Sequence, residues 1–241
     1  MKFFYALIFA CFLFSSCKKN NNAGVCRVSV VQSFTNGTLY NNTNYEYDDH
    51  GKIKKISNSN TNSPLSITFS YFNDSIVVSQ NDMRIVYFLN NTGLATSAKT
   101  YFNVNPDGFQ FDYVYTYNTE GYLIQEREIF SQIYYGNVVR DTNFTNYTVL
   151  NGNIIKKTAT NSTEEQYEYS QTPMPENDVA LNPFPSHMGK FLGKSPVNLI
   201  SKLKYQNGNE TTPYSYSFDP GGKVKILTAG TSRSEFSYQC N

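Results

Sequence analysis

One short phrase recurs along this chain and constrains its fold more than any other feature. It consists of alternating aromatic residues, a polar turn that usually ends in Gly, and an alternating aliphatic run. Its clearest copies span residues 45–56, 113–124 and 214–226. Residues that alternate with a period of two lie on one face of a strand, and a short Gly-containing turn between two such runs predicts a β-hairpin. Repetition of the hairpin predicts a long antiparallel meander.

Degenerate copies of the phrase fill most of the remaining chain, at residues 71–78, 86–94 and 148–155. The last of these contains Asn151-Gly152, a dipeptide typical of two-residue hairpin turns. With 20 Tyr and 18 Phe, the composition also favours strands. We therefore predict one all-β domain over residues 24–241, an antiparallel meander of consecutive hairpins. We expect a strongly curled or barrel-like sheet, because rolling a sheet removes its exposed edges.

The first 16 residues have the pattern of a signal peptide, with a basic Lys2 and an uncharged apolar run over residues 3–14. This run is too short for a stable membrane span. The Ser-Ser-Cys17 sequence that follows resembles the lipobox of bacterial lipoproteins, which implies cleavage before Cys17 and acylation of its thiol. An ordinary secretory signal peptide with an incidental Cys17 is the alternative. With lipidation, residues 17–23 become a lipidated Cys and a flexible polar tether to the membrane.

Cysteine positions predict a disulfide. The leader removes Cys11 and the lipid occupies Cys17, so Cys26 and Cys240 remain. Two thiols in an oxidising compartment usually pair. Pairing would place the first and last strands side by side, with Cα atoms about 4.4–6.8 Å apart. Two free thiols are the alternative.

One segment, residues 172–198, departs from the repeat because it contains five Pro residues. Pro cannot donate a hydrogen bond to a sheet, so we predict a long excursion from the sheet. Its apolar side chains are expected to form a short helical turn that plugs one end of the sheet. These side chains are Phe184, Met188, Phe191 and Leu192. Long loops are often functional, and within this one the candidate ligand-facing residues are Phe184, His187 and Phe191.

The sequence predicts no enzyme and no cofactor. The adjacent carboxylates at 48–49 and 164–165 are typical of solvated turns, whereas a glycosidase needs two carboxyls across a cleft. No Gly-x-Ser-x-Gly elbow occurs, and neither His50 nor His187 stands at the spacing of metal ligands. The 20 basic and 19 acidic residues become balanced once Lys2 is removed, so no nucleic-acid partner is indicated.

The repeated phrase resembles the Tyr-Asp repeat of Rhs-type proteins. Together with the lipobox and the order of motifs at 182–184, 196–200 and 214–219, it resembles a family of Bacteroidota lipoproteins of unknown function. This resemblance implies a meander of hairpins and a lipid-anchored outer-membrane location, on the periplasmic face or the cell surface. It brings no catalytic residue. Asp74-Ser75-Ile76 also resembles the O-glycosylation motif of exported Bacteroidota proteins, with Ser75 as the acceptor.

Two functions remain open at this point. The first is a non-enzymatic binding or scaffold module of the envelope, with a glycan, a peptide or an envelope protein as its ligand. The second is a periplasmic carrier or chaperone that holds an apolar ligand inside the curled sheet. A binding module should have an interior filled by the aromatic rows, whereas a carrier needs an apolar cavity of about 300 Å³ or more.

Overall fold

The described residues of the chain fold into a closed barrel of sixteen antiparallel strands, in which each strand pairs with its sequence neighbours and β1 closes the barrel against β16. The computed structural model describes residues 25–59, 64–103, 109–134, 137–175, 179–206 and 210–240. The strands are β1 (Cys26–Thr35), β2 (Thr38–Tyr47), β3 (Ile53–Asn58), β4 (Leu65–Tyr71), β5 (Ser75–Gln80), β6 (Met83–Leu89), β7 (Ala95–Phe102), β8 (Gln110–Tyr117), β9 (Leu123–Tyr134), β10 (Asn137–Leu150), β11 (Asn153–Ala159), β12 (Glu165–Pro173), β13 (Asn198–Tyr205), β14 (Thr211–Phe218), β15 (Val224–Ala229) and β16 (Ser232–Cys240). The predicted all-β meander is confirmed. The leader (1–16), Cys17 and the tether lie outside the described residues.

The barrel has two distinct ends. We call the end that carries the connections after β2, β4, β6, β8, β10, β12 and β14 the plug end, and the opposite end the far end. Because β1 starts and β16 finishes at the plug end, Cys26 and Cys240 lie there as a cross-strand pair. They form the predicted disulfide, with Cα atoms 4.0 Å apart. This distance is slightly shorter than the expected range of about 4.4–6.8 Å, and the two residues stand directly opposite each other in the antiparallel β1–β16 pair.

The aromatic rows of the repeat face the barrel interior. Tyr115, Tyr147 and Tyr167 are each buried in one large apolar cluster with aliphatic residues from neighbouring strands. The aromatic rows therefore form part of the core of the barrel. A second cluster joins β1, β13, β15 and β16 around Val28 and Leu199, both fully buried.

The outer face of the wall is mainly polar. In β4 the exposed residues Ser66, Thr68 and Ser70 alternate with residues that pack inward. The outer faces of β12 and β13 carry an ion pair between Lys202 and Glu168, with a nitrogen–oxygen distance of 3.1 Å. The alternation of polar and aromatic residues in the sequence thus produces a solvent-exposed polar outer face and a packed inner face.

The connection after β12 folds back into the barrel mouth and fills part of it. We call residues 179–197 the plug; it contains three short 3-10 turns, Val179–Leu181, Pro185–Met188 and Lys190–Leu192. Phe184, Phe191 and Leu192 are buried in the large core cluster, with Met188 packed against it. The predicted plugging turn is confirmed. Burial of its apolar side chains in the core stabilises this segment. The excursion is slightly shorter than predicted, because β12 continues to Pro173 at its end.

Four hairpins at the plug end share one turn geometry. The first residue of each turn accepts hydrogen bonds on its side-chain oxygen from the backbone N–H groups two and four residues later, at 2.8–3.1 Å. These first residues are Asp48, Asn90, Asn118 and Asp219. The Gly at the fourth position has a positive φ of 75–90° in all four turns, a conformation that costs Gly little. The repeated phrase therefore specifies this turn geometry.

Candidate binding site at the plug end

The plug is hydrogen-bonded to one side of the barrel mouth. Lys194 donates its backbone N–H to the Gly121 carbonyl at 3.0 Å, and Val197 donates to the Gly152 carbonyl at 3.1 Å. Gly121 and Gly152 belong to the turns after β8 and β10. On the opposite side, next to the turns after β2, β4 and β6, the plug leaves an open cleft.

This opening, which we call the basic cleft, has a volume of about 550 Å³. Its floor and walls combine aromatic and aliphatic side chains, namely Tyr47, Ile53, Tyr71, Phe72, Ile76, Leu89, Leu94 and Phe191. Its cationic side chains are Arg27, Lys52 and Lys190, with His50 beside them. None of the described residues that line the cleft is Asp or Glu. The cleft therefore offers positive charge above an apolar surface.

The two cations nearest the barrel wall are held by tyrosine rings. The Lys52 ammonium lies 4.9 Å from the centre of the Tyr71 ring, and the Arg27 guanidinium carbon lies 5.7 Å from the centre of the Tyr47 ring. The Arg27 guanidinium also lies against Gly51, in space that a Cβ atom would occupy. A side chain at position 51 would displace Arg27, so this glycine makes room for the cation as well as for the turn.

Tyr71 remains a neutral aromatic donor near physiological pH. Burial, and then the negative charge of Asp48, raise the pKa of Tyr71 to about 12. Its hydroxyl donates to the Ile53 carbonyl at 2.8 Å, which fixes the ring beneath Lys52. The neutral ring therefore presents its π face to the Lys52 ammonium.

A second and wider opening lies on the attached side of the plug. This wide cleft has a volume of about 1110 Å³ and is lined by the turns that contain Asn90 and Asn118 and by plug residues from Lys190 onward. Lys194 lies 5.6 Å from the centre of the Tyr122 ring. Because Glu120 also lines it, the wide cleft has less net positive charge than the basic cleft.

A third cavity, the inner chamber, lies beneath the plug inside the barrel. It has a volume of about 330 Å³ and is bounded by Tyr87, Tyr113, Tyr115, Tyr147, Glu126, Lys157 and plug residues including Phe184. Burial, followed by the negative charge of Glu128, raises the pKa of Glu126, while Lys157 opposes this shift. Lys157 also pairs with Glu165 at 3.1 Å. A chamber lined by ionisable groups differs from the apolar cavity that a carrier of apolar ligands requires.

The structure distributes the sequence-predicted site residues among these features. Phe184 and Phe191 point into the core, 2% and 6% exposed, where they border the inner chamber and the basic cleft respectively. The side chain of His187 lies outside what the structure describes. Ser75 begins β5 at the plug end, and its hydroxyl donates to the Asp74 carboxylate at 3.1 Å. Its glycosylation stays a prediction.

Sequence reasoning missed the cations of the basic cleft. Arg27 lies at the start of β1, Lys52 lies in the turn between β2 and β3, and Lys190 lies in the plug. A weak signal exists, since a Lys directly follows the turn Gly at both Lys52 and Lys223. That signal does not separate the two positions, because only Lys52 faces the cleft.

No group of three or more His, Cys, Asp or Glu side chains is arranged to hold a metal ion within the described ranges. Within these same residues, no helix is long and apolar enough to span a membrane.

Comparison with known proteins identifies the fold. No family model matches the sequence, and no curated protein matches it. A solved structure of a porin-like protein from Bacteroides uniformis is similar, with a TM-score of 0.66 and 16% identity over 88% of this chain and 98% of that chain. A porin-like protein from Bacteroides vulgatus is similar with a TM-score of 0.60 and 15% identity, over 89% of this chain and 99% of that chain. At these identities, the likeness establishes that the chain has the same barrel fold.

Proposed function

We propose that the mature protein is a lipid-anchored envelope module that catalyses no reaction and binds its ligand at the plug end of the barrel. The observation that carries this proposal is the basic cleft of about 550 Å³ beside the plug, where cations stand over aromatic rings. Binding sites are typically concave, largely apolar and supplied with a few placed polar groups. The basic cleft has each of these properties.

The polar outer wall supports attachment by lipid instead of insertion of the barrel. A membrane barrel presents an apolar band about 25 Å tall to the lipid. Here the outward positions of β4 are Ser66, Thr68 and Ser70, and those of β12 and β13 include paired charges. We therefore assign membrane attachment to Cys17, in agreement with the lipobox resemblance. The porin-like names of the two similar structures fit an envelope location, on either face of the outer membrane.

The interior argues against a carrier for wholly apolar cargo. The inner chamber reaches the size that a small ligand needs, but Glu126 and Lys157 line it. Burying a hydrocarbon against two ionisable side chains would remove water from them without replacing their hydrogen bonds. A binding module with a largely filled aromatic interior is the better match, with a glycan, a peptide or an envelope component as ligand.

Mass spectrometry of the native protein tests this proposal. The full chain, purified from the envelope of its own cells, should carry acyl groups on Cys17 and a co-purifying ligand. Leu94 lines both clefts, so Leu94→Trp should fill their shared border and remove that ligand. The matched control is Leu39→Trp, at an exposed position near the far end. A ligand that survives Leu94→Trp, or an unacylated Cys17, would contradict the corresponding half of the proposal.

A further inference from the structure

We infer that the basic cleft binds an anionic amphiphile, a molecule with a phosphate or carboxylate head and a short apolar portion. This inference rests on the proposed binding role of the plug end and specifies its ligand chemistry. The cleft brings together the cations of Arg27, Lys52 and Lys190 with an apolar floor, and none of the described lining residues is acidic. An anion is the only charged head group that this lining would attract, because each cation would repel a positive one.

The cations keep their charge available for a ligand. Each of the ion pairs found among the described residues joins other side chains, so Arg27, Lys52 and Lys190 are not neutralised by an acid there. The turn that carries Lys52 also contains Asp48. The Oδ1 atom of Asp48 accepts hydrogen bonds from the backbone N–H groups of His50 and Lys52. That carboxylate is therefore engaged with the backbone of its own turn.

The apolar half of the cleft suits a hydrocarbon chain. Ile53, Ile76 and Phe191 are buried at its base, each less than 7% exposed. Phe72 stands at the edge with 59% of its surface exposed. A ligand chain lying between this rim and the buried base would cover Phe72 and gain hydrophobic free energy.

The chain enters the barrel at the plug end, which with the proposed anchor brings the basic cleft close to the membrane as a source of such a ligand. Val25, the first described residue, leads into β1 at the plug end, so the eight residues 17–24 reach at most about 26–29 Å from an anchored Cys17. With the proposed anchor, the basic cleft stays near the membrane surface.

Calorimetric titration of the purified full chain tests this inference with four probes. Decyl phosphate represents a lipid-like phosphate, decanoate a free fatty acid, inorganic phosphate an anion without a chain, and decyl maltoside a chain without a charge. We expect decyl phosphate or decanoate to bind at least about tenfold more tightly than decyl maltoside, and inorganic phosphate alone to bind most weakly. The stronger of the two anionic amphiphiles identifies which source the cleft prefers.

Lys223→Gln provides a matched control for Lys52→Gln. Both lysines follow the Gly of the same turn type, donate their backbone N–H to the leading Asp, and lie over a Tyr ring at 4.9 Å and 5.6 Å. Only Lys52 lines the cleft. Lys52→Gln should weaken the anionic amphiphile on the order of tenfold, and Lys223→Gln less than about twofold.

Two results would overturn the inference. In the first, decyl maltoside binds as tightly as the anionic probes, which would show that the chain and not the charge is recognised. In the second, the two lysine variants weaken binding equally. Neither result touches the proposed binding role itself, which the loss of the native ligand in Leu94→Trp decides separately. Thermal unfolding of each variant verifies that it is folded.

Discussion

The hydroxyl of Tyr117 in β8 donates a hydrogen bond to the carbonyl of Ala95, the first residue of β7, at 2.9 Å. The register of β7 against β6 shifts beside Ala95, so this carbonyl lies where the sheet ladder is interrupted. Five further tyrosines make the same bond to the preceding strand at 2.7–2.8 Å, namely Tyr47, Tyr71, Tyr169, Tyr216 and Tyr238. These hydroxyls satisfy backbone carbonyls at points where the sheet hydrogen bonding is interrupted. The interruptions lie at the plug end, where the clefts are also found.

Removing one of these hydroxyls should destabilise the barrel. Tyr216→Phe keeps the ring but leaves the Ile200 carbonyl without the bond it accepts at 2.8 Å. We expect a loss of about 0.5–1.5 kcal/mol in the free energy of unfolding, the usual net worth of one such bond. Denaturant unfolding measures this loss. Tyr101→Phe, on the exposed outer face, should change stability by less than about 0.5 kcal/mol, and equal losses in both variants would contradict the assignment.

The plug should depend on Phe184 for its packing. This side chain is 2% exposed and meets the Tyr167 and Tyr147 rings edge-on, with ring centres 4.9 Å and 6.2 Å away. Phe184→Ala should cost about 3–5 kcal/mol, because it removes a buried ring and leaves a cavity. The comparison is Phe72→Ala, which removes an exposed ring and should leave thermal stability nearly unchanged. Similar melting temperatures for the two variants would argue that the plug does not pack as described.

Gly193 should be essential for seating the plug. Its φ is 99°, and a Cβ atom there would lie 3.1 Å from the Leu123 backbone nitrogen and 3.2 Å from the Gly121 oxygen. Gly193→Ala should therefore cost about 2–5 kcal/mol through backbone strain and overpacking. Hydrogen exchange should also accelerate at the Lys194 amide, which donates to Gly121.

Gly93→Ala separates these two effects. Gly93 has a φ of 80° but open space around the Cβ position, so its substitution costs only the backbone strain, about 1–2 kcal/mol. Equal stability losses at positions 93 and 193, with unchanged exchange at Lys194, would contradict close packing of Gly193 against the barrel.

Reduction of the Cys26–Cys240 disulfide should lower stability without opening the sheet. The bond links residues 214 positions apart, so it restricts the unfolded chain strongly and should contribute about 2–5 kcal/mol. The β1–β16 ladder remains as a second closure of the barrel. Guanidinium unfolding with and without reductant measures the difference. The double variant Cys26→Ser, Cys240→Ser should not respond to reductant, and a wild type that is equally insensitive would contradict the prediction.

Glu126 should make stability depend on pH. Its pKa is raised above the ordinary value of 4.5, so the folded protein favours the protonated carboxyl. The contribution of Glu126 is therefore most favourable below the unfolded pKa and is lost as the pH rises through the raised folded pKa. Glu126→Gln should accordingly gain stability relative to the wild type between pH 4 and pH 8, measured as the difference in melting temperature.

The comparison between the wild type and Glu126→Gln isolates the contribution of Glu126 to the pH dependence of stability. Interactions with Lys156 lower the pKa of Glu164, and interactions with Lys204 and Lys202 lower the pKa of Glu168, which gives both proteins the same opposite trend. That trend cancels in the difference. A difference in melting temperature that is constant from pH 4 to pH 8 would show that Glu126 does not titrate in a buried environment.

Local sequence predicted the hairpins because each phrase contains its own turn. Asn118 and Gly121 supply the side-chain acceptor and the positive φ within four residues, and no distant contact is needed. Only part of the structural role of Tyr117 could be predicted from the sequence. Alternation placed its ring inward, but its hydrogen bond to Ala95 spans 22 positions and depends on a register shift.

The candidate site was the least predictable part. The sequence directed attention to the excursion, where Phe184 is a core residue and Phe191, also buried, forms part of the base of the basic cleft. The cleft charges come instead from Arg27, Lys52 and Lys190, which lie far apart in the sequence. Lys52 and Lys223 have the same local sequence environment, so local rules assign them the same role.

The all-β meander, the rows of aromatic residues on one face of each strand and the turn type can be predicted from the sequence alone, because period-two alternation and turn chemistry act over a few residues. The tertiary structure added that the sheet formed by the described residues closes with sixteen strands and that the plug lies against one side of the mouth, and it confirmed the expected pairing of Cys26 with Cys240. Those outcomes depend on contacts between distant residues, whose free energies are set by the whole barrel. The basic cleft exists because the plug is attached to the turns at Gly121 and Gly152, leaving the side with Arg27 and Lys52 open.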